Sequence, residues 1–334
     1  MLPKRFEESA GFQWGTFTNA KGAKIRYGHA LPTGTPKGTM VIVPGFREPI
    51  EKYFETIRDM TDKGFAVWAM DWHGQGGSER YLKDNLQKMH GEGYDEHIKT
   101  LDQFAAKIVS QSPGPFILTA HSMGAHIGLR YLKEHAGVFD AALLTAPMLD
   151  INTGALPKPV ARQMARFAKA GSYLEKYVPL GEDWAETREV FANNKKTSDP
   201  ERFAVTAEIF NAKPGLQMGD ATYGWVYHTF ESIDILHKED YLKSITTPIL
   251  MQISGDDEIV DAKAARRAVG FLPHCTAVDM PAAKHEIWME RDVLRDEWMK
   301  HIDFFLARQI KAAPAPKNLK SGNNPPPPFA GPAA

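Results

Sequence analysis

The chain contains 334 residues, 43% of them hydrophobic, which is enough for one large α/β domain or for such a domain with an inserted subdomain. Its net charge of −1 excludes the strong basic field that nucleic-acid-binding proteins carry, and we expect no nucleic-acid partner. The single cysteine, Cys275, excludes an internal disulfide, and no apolar run approaches the ~20 residues that cross a bilayer. Since the first residues lack an apolar leader segment, the chain is predicted to be cytoplasmic.

The first part of the chain alternates between apolar strand patterns and amphipathic helix patterns. A hairpin is predicted over residues 12–31. Further strands are predicted at 39–43, 66–70, 116–120 and 141–145, and helices at 51–62, 94–110 and 125–134. Such alternation is typical of an α/β protein with a mostly parallel, doubly wound sheet covered by helices on both faces.

The alternation stops after residue 147 and resumes near residue 244. Helices are predicted in between, at 158–177, 186–193, 200–211 and 224–232. Strands at 248–254 and 276–280 follow, with helices at 262–269 and 291–309. We therefore predict a core formed by residues 1–147 and 244–311 and a helical cap inserted at 148–243. Residues 312–334 are rich in proline and are expected to form a disordered tail.

The junction between the strand at 116–120 and the following helix carries a serine in a tight turn. Residues 120–124 read Ala-His-Ser-Met-Gly, which is the nucleophile-elbow pattern G-x-S-x-G with alanine for the first glycine. Such a turn exposes the Ser122 hydroxyl and places the Met123 N–H at a helix N-terminus, where it can stabilise an oxyanion. The Phe46 N–H, in the loop after strand 39–43, is the candidate second donor. An ordinary turn whose serine only caps a helix fits the short pattern equally well.

Candidate partners for the serine occur on loops after later strands. Asp256 and Asp257 follow strand 248–254, and His285 follows strand 276–280. This gives the chain order Ser, acid, His that accompanies a serine on a nucleophile elbow. The pattern predicts Ser122 as nucleophile, His285 as its base and one of the two aspartates as the group that orients the imidazole. No phosphate-binding or dinucleotide-binding spacing is present, and we expect no cofactor and no metal.

The predicted cap is rich in aromatic side chains and methionines. Tyr223 and Trp225 of the cap, together with Met148 at its start, are the candidate substrate-binding residues, although most cap aromatics are expected to form its core. One cap helix carries a basic face, made of Lys158, Arg162, Arg166 and Lys169. A basic amphipathic helix is compatible with peripheral contact to the inner membrane surface, but a solvated basic face is the favoured interpretation.

Several motifs, spread over residues 10–310, support a family resemblance. They are residues 71–76 and 119–124, Pro44-Gly45 followed by Glu51-Lys52-Tyr53, and the segments 144–148, 222–226 and 284–287. In these motifs the chain resembles the monoacylglycerol lipase and lysophospholipase group of α/β-hydrolases, in particular the bacterial lysophospholipase L2 type. The resemblance implies an α/β-hydrolase fold and hydrolysis of a single-chain glycerolipid ester through an acyl-enzyme, without metal or cofactor. It also favours Asp257 over Asp256, because the family places its acid before one further residue and an aliphatic pair, with another Asp after the pair, which Asp257 and the segment 258–261 match.

Other functions remain open on the same fold. It also hosts aminopeptidases, thioesterases and C–C hydrolases. An aminopeptidase needs a cap carboxylate to hold the substrate amine, and Glu182, Asp183 and Glu186 are available. A non-catalytic binding module is disfavoured by the intact set of serine, aspartate and histidine. The oligomeric state is left open.

Overall fold

One mixed sheet of eight strands runs through the computed structural model, which describes residues 3–312; the tail predicted at 312–334 lies, apart from its first residue, outside the described residues. The strands are β1 (Gln13–Thr18), β2 (Lys24–Ala30), β3 (Thr39–Val43), β4 (Ala66–Met70), β5 (Phe116–His121), β6 (Ala141–Thr145), β7 (Ile249–Ser254) and β8 (Cys275–Met280). Their spatial order is β1-β2-β4-β3-β5-β6-β7-β8. The first two strands pair antiparallel and the other six run parallel, so the predicted fold class is confirmed.

Nine α-helices occur within residues 3–312. They are α1 (Phe54–Asp62), α2 (Tyr94–Lys107), α3 (Met123–Glu134), α4 (Lys158–Ala170), α5 (Pro200–Ala212), α6 (Tyr223–Leu236), α7 (Glu239–Lys243), α8 (Ala262–Val269) and α9 (Asp292–Ala312). None of the helices within residues 3–312 is long and apolar enough to cross a membrane.

The register of the parallel strands aligns the loops that carry the candidate site residues. Every residue of β3, β5, β6 and β7 is buried, as expected for strands covered on both faces. Val43 lies opposite Ala120, His121 opposite Thr145 and Ser254 opposite Met280. The loops after β3, β5, β7 and β8 therefore leave the same carboxyl edge of the sheet, where ligands bind in open α/β folds.

The segment predicted as a cap, residues 148–243, contributes helices and turns but no strand to the sheet among the described residues. The helix predicted at 158–177 is too long, since α4 ends at Ala170. Ser172 adopts a left-handed φ of 60°, and its N–H donates to the Lys169 carbonyl, while the Tyr173 N–H donates to the Ala168 carbonyl. These hydrogen bonds form a Schellman motif, which stops the helix without the usual glycine at the left-handed position.

Two other cap predictions also need correction. The helix predicted at 186–193 is two short 3₁₀ turns, Glu186–Arg188 and Phe191–Asn193, and α7 was not predicted. On α4, Lys158 contacts Asp150, Arg162 contacts Asp234 and Lys169 contacts the Tyr227 hydroxyl, so much of the basic face makes contacts within the protein. Membrane contact through the cap, and the division of the chain at 147 and 243, stay predictions.

One part of the segment predicted as a cap is hydrogen-bonded to the loop after β8, which carries His285. The Glu286 N–H donates to the Lys196 carbonyl over 2.8 Å. The Thr197 hydroxyl donates to the Met289 carbonyl over 2.6 Å, and Arg202 donates to the Glu290 carbonyl over 2.7 Å. Residues 196–202 therefore have a fixed position relative to that loop.

Candidate active site

Ser122 occupies a strained turn between β5 and α3. Its φ is 50°, a conformation that a non-glycine residue adopts at a cost and that the surrounding structure must hold. The Ser122 N–H donates to the Thr145 carbonyl, and the Ser122 carbonyl accepts the N–H of Met148. At Gly124, a Cβ atom would lie 2.4 Å from the Val43 carbonyl oxygen, which explains why the second small residue of the elbow is glycine.

Ser122, His285 and Asp257 are connected by hydrogen bonds. The Ser122 Oγ lies 2.9 Å from the Nε2 of His285, and the His285 Nδ1 lies 2.7 Å from the Oδ2 of Asp257. The other Asp257 oxygen accepts the N–H groups of Ile259 and Val260 at 2.8 and 2.9 Å. Asp256 is exposed, whereas the Asp257 side chain is 1% exposed. The structure thus brings together one of the two candidate aspartates with the predicted serine and histidine.

The charge on Asp257 determines the tautomer of His285. Burial favours the neutral acid, but His285 and the N–H groups of Val260 and Ile259 outweigh it and hold the Asp257 pKa below its usual value. Asp257 is therefore ionised at neutral pH and can only accept, so a neutral His285 carries its proton on Nδ1. This leaves Nε2 as an acceptor for the hydroxyl proton of Ser122.

The neighbouring histidine does not compete for this role. His121 is buried beside His285, with 4.8 Å between the ring centroids. Burial lowers the pKa of His121 to about 4, so it is neutral at neutral pH. Its Nδ1 lies 3.1 Å from the Thr145 carbonyl oxygen, which is the inward orientation expected for a residue in the turn.

The loop after β3 is held from both sides of Phe46. The Gly45 N–H donates to Glu48 over 2.6 Å, and the Gly45 carbonyl accepts from the Gln75 side chain over 2.7 Å. The Arg47 N–H donates to the same Gln75 over 3.3 Å. Within residues 3–312, neither predicted oxyanion donor, the N–H of Phe46 or of Met123, has a protein acceptor. Both amides are thus unbonded at the ends of adjacent strands β3 and β5.

A buried charge network lies beneath this loop. The Lys52 ammonium contacts Glu48 at 3.0 Å and Glu286 at 2.6 Å, and Glu48 also accepts from the Tyr53 hydroxyl. Burial opposes ionisation of Glu48, but Lys52 and the neighbouring donors lower its pKa to about 2. The network connects the Phe46 loop to Glu286, the residue after His285. The network is not predicted from the sequence, since its only signal there is the Glu51-Lys52-Tyr53 match in the family resemblance, which carries no role.

The candidate substrate-binding residues lie at different depths. The Trp225 ring packs against the Phe46 ring at a centroid distance of 4.2 Å. Tyr223, the first residue of α6, is half-buried. The Met148 side chain is buried in the core, and it is the Met148 backbone that contacts Ser122 and His126.

A cavity of about 220 Å³ opens onto Ser122 and His285. Apolar walls come from Phe46, Phe210 and Ile259. Charged side chains also line it, namely Arg47, Glu48, Lys52, Lys196 and Glu286. The described residues contain no cluster of three or more histidine, cysteine or carboxylate side chains able to hold a metal ion. The site is suited to nucleophilic attack by a serine on a substrate with an apolar part.

Comparison with known proteins assigns the chain to a family. The family described as serine aminopeptidase S33 matches residues 34–292. Lysophospholipase L2 of Escherichia coli strain K12 is 31% identical over 284 residues, which cover 80% of this chain and 79% of that protein. A probable lysophospholipase L2 of Haemophilus influenzae is 26% identical, covering 86% of this chain and 89% of that protein.

Among solved structures, a soluble variant of monoglyceride lipase from Saccharomyces cerevisiae has the same fold. It is 18% identical, with a TM-score of 0.68 over 89% of this chain and 96% of that chain. The resemblance found from the sequence motifs is thereby confirmed. The chain belongs to the serine aminopeptidase S33 family of α/β-hydrolases and, like its lysophospholipase L2 relatives, is a carboxylic ester hydrolase.

Proposed function

We propose that the protein hydrolyses the acyl ester of single-chain glycerolipids, either lysophospholipids or monoacylglycerols, with Ser122, His285 and Asp257 as its catalytic triad. The observation that carries the proposal is the unbroken hydrogen-bond series from the Ser122 Oγ through His285 to Asp257. The names of the relatives support the substrate class, since they are lysophospholipases and a monoglyceride lipase.

The reaction would begin with attack of the Ser122 Oγ on the ester carbonyl carbon. The hydroxyl proton moves to the His285 Nε2, and Asp257 stabilises the resulting imidazolium. The N–H groups of Phe46 and Met123 donate to the oxyanion of the tetrahedral intermediate. When that intermediate collapses, the bond to the glycerol oxygen breaks and His285 returns the proton to the leaving oxygen.

Deacylation repeats the same steps with water. His285 takes a proton from a water molecule, whose oxygen attacks the acyl-enzyme carbonyl. The second tetrahedral intermediate collapses with release of the fatty acid, and the proton returns to the Ser122 Oγ. Neither half of the reaction requires a metal ion or a cofactor.

The surroundings of Ser122 favour an ester over the amine-bearing substrate of an aminopeptidase. An aminopeptidase would need a carboxylate near the serine to hold the substrate amine. The candidates Glu182, Asp183 and Glu186 are not among the residues that line the cavity. Glu182 instead pairs with Arg188, and Asp183 accepts from the Tyr177 hydroxyl. The two carboxylates in the lining, Glu48 and Glu286, are already paired with Lys52.

A substrate panel tests the proposal. Lysophosphatidylethanolamine, monooleoylglycerol, oleoyl-coenzyme A and an amino-acid amide are each supplied to the wild-type protein and to Ser122→Ala. We expect the wild type to release fatty acid from one or both glycerolipids, and Ser122→Ala to lose essentially all of that activity while its circular dichroism spectrum stays unchanged. Turnover of the amide or thioester in preference to both glycerolipids would reject the proposed substrate class.

A further inference from the structure

A second cavity adjoins the one at Ser122. Its volume is about 260 Å³, and both cavities are lined by Arg47, Lys196 and Ile259. The second cavity is basic: its lining includes Arg47, Arg188, Lys195 and Lys196, but the only carboxylate among these described lining residues is Glu189. Arg47 and Lys196 therefore lie at the boundary between the nucleophile and a positively charged space.

Lys196 is held in place by its backbone, and its ammonium is weakly paired. Its carbonyl accepts the N–H of Glu286, one residue beyond His285, over 2.8 Å. The ammonium lies 3.4 Å from Glu189, beyond the usual length of a charged hydrogen bond. Burial lowers the Lys196 pKa, and Glu189 and Glu286 compensate only in part. The ammonium thus has donor capacity left for a ligand.

Arg47 is fixed in a similar way beside Phe46. Its φ is 62°, a left-handed conformation that is uncommon for arginine and that occurs preferentially at functional sites. The guanidinium donates through Nε to the Met218 carbonyl and through Nη1 to Asp220, at 3.1 and 3.2 Å. Asp220 is shared with Arg188, which contacts it at 2.6 Å. One carboxylate thus serves two guanidinium groups, and the Arg47 Nη2 has no acceptor within residues 3–312.

We propose that Arg47 and Lys196 bind the phosphodiester of the substrate head group, so that the enzyme prefers lysophospholipids to neutral monoacylglycerols. The proposal rests on the proposed function above. In a lysophospholipid the glycerol carbons separate the scissile ester from the phosphate, so the phosphate site must adjoin the serine without coinciding with it, as the second cavity does. A guanidinium and an ammonium together match the charge and acceptor geometry of a phosphate. A monoacylglycerol leaves the spare donors of both cations without an acceptor, which disfavours its binding.

The hydrolytic test compares the kcat/KM values for a lysophospholipid and for a monoacylglycerol. For each variant, kcat/KM is measured on 1-oleoyl-lysophosphatidylethanolamine and on 1-oleoylglycerol. We expect Lys196→Met and Arg47→Met each to lower the ratio of the two values roughly tenfold or more, since each removes a charge-assisted hydrogen bond. Lys196→Arg should keep most of the ratio, and Lys243→Met, on the surface helix α7, should leave it unchanged. An unaltered ratio in both Lys196→Met and Arg47→Met would overturn the proposal.

A binding measurement separates failure of this site from failure of the proposed function. Ser122→Ala, with and without Lys196→Met, is titrated calorimetrically with an ether-linked lysophospholipid, with the matching alkylglycerol and with inorganic phosphate, none of which is hydrolysed. We expect the phosphate-bearing lipid to bind more tightly than the alkylglycerol, and Lys196→Met to remove most of that difference. Equal binding of the two lipids would reject the head-group site even if the wild type hydrolyses both. Binding of inorganic phosphate with no preference between the lipids would assign the cations to free phosphate and would also reject it.

Discussion

Gln75 donates a 2.7 Å hydrogen bond from its Nε2 to the carbonyl oxygen of Gly45. Its Oε1 accepts the N–H of Arg47, so one buried side chain holds the residues on both sides of Phe46. Gln75 comes from the glycine-rich loop after β4, which lies beside β3 in the sheet. The position of the Phe46 N–H, our proposed oxyanion donor, therefore depends on a residue that takes no part in the chemistry.

Replacing Gln75 by leucine should damage turnover more than binding. The change leaves the Gly45 carbonyl without its partner and frees the loop, and loss of an oxyanion donor costs about 10²–10³ in kcat. Because the donor is displaced and not deleted, we expect Gln75→Leu to lower kcat about 10–100-fold with KM nearly unchanged. Steady-state kinetics on a soluble p-nitrophenyl ester provide the measurement.

A matched control for this variant is Gln103→Leu. Gln103 accepts the Ala20 N–H at the protein surface, away from the residues that line the Ser122 cavity. The Gln103→Leu variant should change kcat by less than about twofold. If Gln75→Leu lowers kcat no more than Gln103→Leu does, the Phe46 loop does not need the Gln75 side chain, and the proposed positioning role of Gln75 is wrong.

The two adjacent aspartates offer a second comparison. Asp257→Asn keeps the shape of the side chain but removes the charge that holds the His285 proton on Nδ1, so we expect kcat to fall about 10³-fold or more. Asp256→Asn should have almost no effect, because the Asp256 side chain is exposed and makes no contact with His285. The pair is compared on the same ester at neutral pH. Similar losses in both variants would contradict the assignment of Asp257.

The Lys52 network predicts a large stability effect. Lys52→Met leaves Glu48 and Glu286 buried without their shared cation, and removal of one partner from a buried ion pair costs about 3–5 kcal/mol. Urea unfolding followed by tryptophan fluorescence measures the change in the free energy of unfolding.

Lys83→Met is the surface counterpart of this change. Lys83 pairs with Glu79 over 2.8 Å, but its side chain is 70% exposed, so its loss should cost less than about 1 kcal/mol. A Lys52→Met protein as stable as Lys83→Met would mean that the buried carboxylates are not charged, or that they find other partners.

Local patterns were sufficient to predict the sheet and the triad candidates. The buried parallel strands are continuous apolar runs, and the elbow around Ser122 has its own local motif. The order of the loops along the chain was enough to propose His285 and an aspartate. The choice between Asp256 and Asp257 required the family resemblance, because adjacent residues on a loop carry no periodicity that tells which one faces inward.

The residues that sequence analysis missed act through contacts distant in the chain. Lys52 meets Glu286 across 234 positions, and Gln75 meets Gly45 across 30. Nothing in the local sequence of either residue indicates such a partner. The end of α4 was missed for another reason: Ser172 takes a left-handed conformation that usually marks glycine, so the apolar periodicity beyond it was read as more helix.

The central claim is that Ser122 is a nucleophile activated by His285. Its most direct test is the reaction with a fluorophosphonate probe, followed by intact mass and peptide mapping. We predict a single adduct on Ser122 in the wild-type protein, none in Ser122→Ala, and labelling slowed about 10³-fold or more in His285→Ala. An adduct on a different residue, or labelling of Ser122 at the wild-type rate in His285→Ala, would contradict the account.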